Sequence, residues 1–138
     1  MEVKIKLLDG QMPVYSRDGD ACLDCYSAED ITLRYGETKK IRLGFALELP
    51  KGYEAQIRPR SGLSLKGVQV QLGTIDSNYR GEVNAIIHYV GSLEPFEIVK
   101  GVRLAQMKIE KVESVSFVEV AELNESNRGQ NGFGSSGM

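Results

Sequence analysis

Apolar residues alternate with polar ones in four short runs: Val3, Ile5 and Leu7; Ile41, Leu43, Phe45, Leu47 and Leu49; Val68, Val70 and Leu72; and Val83, Ala85, Ile87 and Tyr89. A period of two puts every second side chain on one face, so each run predicts a β-strand with one buried face. Turn residues separate the runs, as in Tyr35-Gly36-Glu37, Pro50-Lys51-Gly52, Arg80-Gly81 and Gly91-Ser92. Their close spacing predicts an all-β antiparallel sandwich or barrel. One short helix is expected around Leu63-Ser64-Leu65-Lys66, stopping at Gly67 where a left-handed cap can form.

Two stretches depart from this rhythm. Val83 to Val90 is apolar on nearly both faces, since Ile86 and Val90 lie beside Asn84 and His88, which predicts a strand covered on both sides, one of them by another subunit. The core strands are expected to end by about Val120. From Glu122 to Met138 the apolar residues thin to Leu123, Phe133 and Met138 while Asn, Ser and Gly accumulate. The expected division is therefore a β domain over residues 1–123 and a mobile C-terminal arm over 124–138.

A chain of 138 residues fits one domain, and 41% hydrophobic with 26% charged residues is ordinary for a soluble globular protein. A net charge of −2 argues against a general nucleic-acid binder, so any phosphate site must be local. The N-terminus alternates charged and apolar residues, unlike an export signal, and no run approaches the roughly 18 apolar residues of a membrane span. A cytoplasmic location is expected, with Cys22 and Cys25 reduced. Their CxxC spacing lacks further zinc ligands, His88 being the single histidine, and has no βαβ context.

Chemistry is suggested in five stretches. In Arg58-Pro59-Arg60-Ser61-Gly62-Leu63-Ser64-Leu65-Lys66-Gly67 a strand ends at a proline and a helix begins, offering backbone N–H groups, a guanidinium and a hydroxyl to an anion. An ordinary serine N-cap with solvated arginines has the same sequence. In Gly73-Thr74-Ile75-Asp76-Ser77-Asn78-Tyr79-Arg80-Gly81-Glu82 an acid in a tight turn beside an aromatic ring suits a general base next to a sugar, although Asp in a turn also serves simply to bond its own backbone. Gly132 to Gly137 satisfy GxGxxG, but the sequence stops at Met138 and no helix follows, so the dinucleotide reading fails its context. What remains is an arm with one cation, Arg128, one ring, Phe133, and many backbone donors, suited to closing over an anionic, base-containing ligand. Asp20-Ala21-Cys22-Leu23-Asp24 and Gly101-Val102-Arg103-Leu104-Ala105-Gln106 complete the set with a carboxylate and an amide.

In this order the five stretches resemble the five motifs of the trimeric dUTPase family, most specifically through PRSGLSLKG, GTIDSNYRGE and RGQNGFGSSG. The resemblance spans Asp20 to Gly137. It implies a jelly-roll-like antiparallel β barrel and Mg²⁺-dependent hydrolysis of dUTP to dUMP and pyrophosphate, which limits uracil incorporation into DNA and supplies dUMP for thymidylate synthesis. By the same resemblance Asp76 is the general base and touches the 3'-hydroxyl, and Tyr79 packs under the deoxyribose. Backbone groups of Gly73, Thr74, Ile75 and Asn84 pair with the uracil edge. Arg60, Ser61, Gly62 and Gln106 meet the phosphates, and Asp24 holds a water on the metal. Arg128, Gly134 and Ser135 close on the triphosphate while Phe133 stacks on uracil. A homotrimer with sites shared between subunits is implied, with neither nucleic acid nor membrane as partner. Cys22 stands where the family usually has glycine, Asn78 where an acid is commoner, Val102 where an acid is frequent and Ser136 where threonine is usual. The alternatives are a dCTP deaminase-like enzyme of the same fold and a dUTPase-like regulatory binding protein.

Overall fold

The computed structural model describes residues 1–137, so Met138, the last residue of the expected arm, lies outside the described residues. In chain order the elements are β1 (Lys4–Leu7), β2 (Leu23–Tyr26), β3 (Ile31–Leu33), β4 (Thr38–Glu48), β5 (Tyr53–Arg58), α1 (Ser61–Leu65), β6 (Val68–Val70), β7 (Gly73–Ile75), β8 (Glu82–Tyr89), β9 (Phe96–Ile98) and β10 (Arg103–Lys111). Every pairing between these strands is antiparallel. One sheet has the order β1-β4-β8-β6, a second β2-β10-β5-β7, and β3 with β9 makes a two-stranded ribbon. The all-β expectation holds, with the strands divided between two sheets and the ribbon.

Alternation places Ile41, Leu43, Phe45 and Leu47 of β4 and Val83, Ala85, Ile87 and Tyr89 of β8 in a single buried cluster. Ala55, Ile57 and Met107 of the second sheet and Leu33 and Ile98 of the ribbon belong to the same cluster. Each large side chain withdrawn from water there contributes roughly 1.5–3 kcal/mol. β4 bulges opposite β8, its register shifting between Arg42↔Asn84 and Ala46↔Glu82. Gly44 sits in that bulge at φ +78°, and an added Cβ would collide with the backbone of Gly10.

Two expectations change. The last strand stops at Lys111, which faces Tyr53, the first residue of β5, so its ladder runs out there; the final bond is from Val112 N–H to the Gly52 carbonyl at 2.9 Å. Residues 112–120 therefore form no strand, and Val115, Phe117 and Val118 lie in solvent. β6 ends at Val70, leaving Leu72 exposed rather than inward. The second face of β8, expected to lie against another subunit, is uncovered within one chain, where Ile86 is half exposed. Among the described residues no helix is long and apolar enough to cross a membrane.

Candidate active site

The register of β10 assembles the first half of the site. Gln106 faces Asp24 on β2 and Arg58 on β5, so the first, second and fourth of these stretches in chain order meet at one end of the second sheet with the loop that follows β5. There a cleft of about 610 Å³ is lined by Ser16, Arg17, Asp20, Asp24, Arg58, Arg60, Ser61, Gly62, Arg103 and Gln106, with Ala21 and Cys22 at its wall. Its guanidinium groups outnumber its carboxylates. Asp24 is almost fully buried, lies 3.6 Å from Arg60 Nε and 3.5 Å from Arg103 Nη1, and accepts a short hydrogen bond from Ser16 Oγ. Arg60 Nη1 donates to the Arg103 carbonyl at 3.0 Å and Gln106 Nε2 to the Pro59 carbonyl at 2.9 Å, bolting the strand end to β10. The net positive charge of this cleft, in a chain of net charge −2, suits an anion with several oxygens.

The helix contributes less than its motif suggests. α1 is a single turn, its N-cap is Arg60 without a side-chain cap bond, and Ser61 is its first residue rather than its cap. Ser61 and Gly62 reach the cleft as the first two residues of that turn, which the bond from its N-cap Arg60 to the Arg103 carbonyl ties to β10.

The second half starts beside Ile57, next to the cleft residue Arg58, and runs away from the cleft along β5. β7 pairs with β5 through Ile57↔Gly73 and Ala55↔Ile75, while β8 belongs to the other sheet. The hairpin thus splits between sheets. β7 is an edge strand, and β6 covers β8 only from Ile86 onward, so the edges of Gly73–Ile75 and of residues 83–84 that face each other lack a strand partner. Such an open slot can accept the hydrogen-bonding edge of a base. Asn84 Nδ2 donates to the Glu82 carbonyl at 2.9 Å, and Asn84 Oδ1 is buried without a partner. Asp76, in the connecting loop, is exposed and lines a cleft with Leu49, Lys51, Ser77, Asn78 and Arg80. Its turn is closed through its main-chain carbonyl, which accepts from Tyr79 N–H at 3.1 Å. Tyr79 folds over Gly81, where any Cβ would overlap its hydroxyl, and that hydroxyl donates to the Glu82 carbonyl at 3.0 Å.

The C-terminal stretch joins neither half. Arg128 Nε donates to the Asn131 carbonyl at 2.7 Å, Phe133 is fully exposed in the left-handed region at φ +50°, and Gly134 and Ser135 are likewise exposed.

The dUTPase family model matches residues 9–137. The chain belongs to the dUTPase family. It is 48% identical to the deoxyuridine 5'-triphosphate nucleotidohydrolase of Clostridium novyi over 92% of this chain and 91% of that protein. Its fold is similar to Staphylococcus bacteriophage 80alpha dUTPase with dUPNHPP, at a TM-score of 0.86 and 29% identity over 99% of both chains. It is also similar to a mutant dUTPase from phage phi11 of S. aureus, described with a structural Mg(II) ion, at a TM-score of 0.81 and 25% identity, over 88% of this chain and 98% of that one.

Within this dUTPase-family chain, Asp24, Arg60, Ser61, Gly62 and Gln106 share the first cleft, while Gly73, Thr74, Ile75, Asp76, Tyr79 and Asn84 form the split hairpin. Sequence reasoning did not assign Arg58, Arg103, Ser16, Arg17 or Asp20 to the cleft. Arg58 carried a signal, since it precedes a proline two residues before Arg60, and Arg103 stands three residues before Gln106. The two cysteines part company: Cys22 lies at the cleft wall, whereas Cys25 is buried and burial pushes its thiol up to about 12. A raised thiol pKa leaves almost no thiolate at neutral pH, so Cys25 should resist reagents. Native protein treated with iodoacetamide at pH 8 is expected to gain one carbamidomethyl group on Cys22, and unfolded protein two, by intact mass.

Proposed function

We propose that this protein is a Mg²⁺-dependent dUTPase, hydrolysing dUTP to dUMP and pyrophosphate as a cytoplasmic homotrimer with sites shared between subunits. The observation that carries this reading is the separation of the two half-sites. Asp76 follows Ile75, which faces Ala55, whereas the cleft starts at Arg58, three residues or about 10 Å further along the strand, and extends beyond it. A general base must be within hydrogen-bond reach of its water. Within one chain Asp76 stands apart from the arginine cleft, and in this reading a neighbouring copy completes each site. The exposed apolar residues at Ile86 and from Val115 to Val118 supply surface for that association.

In this reading uracil enters the slot between β7 and β8, pairing with the main chain of Gly73, Thr74, Ile75 and Asn84, and deoxyribose rests on Tyr79. Arg60, Ser61, Gly62 and Gln106 receive the triphosphate from the adjoining subunit. Asp76 orients and deprotonates the attacking water. Arg128, Phe133, Gly134 and Ser135 of the arm, residues 124–138 beyond the 1–123 domain, cover the nucleotide. Among the described residues no three His, Cys, Asp or Glu side chains cluster to cage a metal. Asp24, a lone buried carboxylate, fits a contact to Mg²⁺ through water, as suits an ion that dehydrates reluctantly. When bound, the ion supplies charge neutralisation on the triphosphate. The activity would limit uracil incorporation into DNA and supply dUMP for thymidylate synthesis.

A panel of dUTP, dTTP, dCTP and UTP with pyrophosphate detection tests this. Hydrolysis of dUTP is expected to exceed that of UTP by about a hundredfold or more, because UTP adds a hydroxyl against Tyr79. Chelation with EDTA should remove most turnover. Equal turnover of UTP, or ammonia released from dCTP, would overturn the assignment.

A further inference from the structure

Glu82 occupies the point where the Tyr79 loop is welded to the first sheet. The β4 bulge frees the Gly44 N–H from the strand ladder, and Glu82 Oε2 accepts it at 3.1 Å. Glu82 Oε1 accepts from Arg42 Nε at 3.1 Å, and Arg42 Nη2 in turn reaches Asp9 at 2.5 Å, with Glu29 4.0 Å from its Nη1. The Arg42 guanidinium holds the Asp9 carboxyl below its ordinary range. On the main-chain side of the same residue, the Glu82 carbonyl receives both the Tyr79 hydroxyl and the Asn84 amide. One residue therefore fastens the bulge with its side chain and the sugar-facing ring with its carbonyl.

We infer that Glu82, clamped by Arg42 and the Gly44 N–H, is a positioning residue that sets how closely Tyr79 approaches the nucleotide sugar, and so tunes discrimination between deoxyribonucleotide and ribonucleotide triphosphates. The inference rests on the reading of Tyr79 as the sugar platform. The ring has one hydrogen bond at its tip and packs on Gly81, whose missing side chain leaves it no other wall there. A shift of the Glu82 carbonyl by a fraction of an ångström is passed to the ring, and a site that tells a ribose 2'-hydroxyl from hydrogen by shape is sensitive to shifts on that scale. The Arg42 pairs are themselves partly exposed, at 37% for Arg42 and 44% for Asp9, so they add little to stability in water. Their geometric effect on the loop is larger than their energetic one. Glu82 touches no reacting atom and acts through Tyr79.

The experiment measures kcat/KM for dUTP and UTP in the full-length oligomer for Glu82→Ala, Glu82→Gln, Tyr79→Phe and Tyr79→Ala, with melting temperatures alongside. Glu82→Ala is expected to lower the dUTP/UTP ratio about tenfold, the effect of one lost hydrogen bond to a charged group, mainly by raising UTP turnover. Glu82→Gln still accepts from the Gly44 N–H and should recover most of the ratio. Tyr79→Phe keeps the ring but loses its tether, and should move the ratio the same way. A core variant, Ile98→Val, serves as a control for general loosening. Unchanged discrimination in a folded Glu82→Ala oligomer overturns the proposal, as does an equal loss in Ile98→Val. If Glu82→Ala does not fold, Glu82→Gln and Tyr79→Phe decide, and an unaltered ratio in Tyr79→Phe overturns it. Unchanged discrimination in Tyr79→Ala instead sinks the sugar-platform reading itself, whatever Glu82 does.

Discussion

Replacing Asp76 with asparagine is expected to leave fold, assembly and nucleotide affinity in place while lowering turnover by roughly two to four orders of magnitude, the range a positioned base supplies. The side chain is exposed and its turn is closed by main-chain atoms, so the amide occupies the same space without disturbing the loop. What it loses is the capacity to take a proton from water. Because the arginine cleft and the backbone slot remain, KM should change little while kcat falls, the signature of an interaction made only in the transition state. The measurement is steady-state hydrolysis of dUTP with binding of a non-hydrolysable analogue measured in parallel. Wild-type turnover in the purified variant would remove Asp76 from the mechanism.

Deleting residues 128–138 is expected to leave the sheets and the oligomer intact and to cut turnover severely. The last strand ends at Lys111 and Phe133 is fully exposed, so the described residues of the deleted segment give nothing to the core. A stretch this poor in apolar residues cannot offset the entropy of ordering unless a ligand supplies partners. A triphosphate offers them: charge-assisted bonds for Arg128 and a base face for Phe133. Phe133→Ala alone should cost about 1–3 kcal/mol if the ring stacks on the base. Near-normal hydrolysis by the truncated oligomer would show the arm to be only a tail, and collapse of the oligomer would show its role to be structural.

The long strands were legible because their alternation is uninterrupted. The runs that become β4 and β8 carry five and four apolar residues at a strict period of two, and all of those residues are buried. β10 was harder. Its register shifts between Arg103 and Ala105, which buries the neighbours Leu104 and Ala105 together and breaks the period on which a strand is recognised. β7 and β9 are three residues each with no alternation continuing past their ends, whereas the equally short β6 was visible because Leu72 prolongs its period. At the site, the motif residues were visible as glycines beside charges. The gathering of Arg58 and Arg103 into one cleft with Asp24 was not, because it depends on a register between strands that local sequence does not encode. The split of the hairpin between sheets was invisible for the same reason, although it creates the open slot.

On the proposed mode of binding, that split would give the base an architectural part to play. In the proposed reading, a uracil lodged between β7 and β8 would become a rung joining two ladders that the protein leaves unjoined. Occupancy should then be readable far from any phosphate, as slowed hydrogen exchange of amides along Gly73–Ile75 and residues 83–84 and as a melting temperature that climbs with nucleotide concentration. A nucleoside monophosphate, lacking the outer phosphates, would still complete the rung, so product would brace the two sheets even where it no longer reacts.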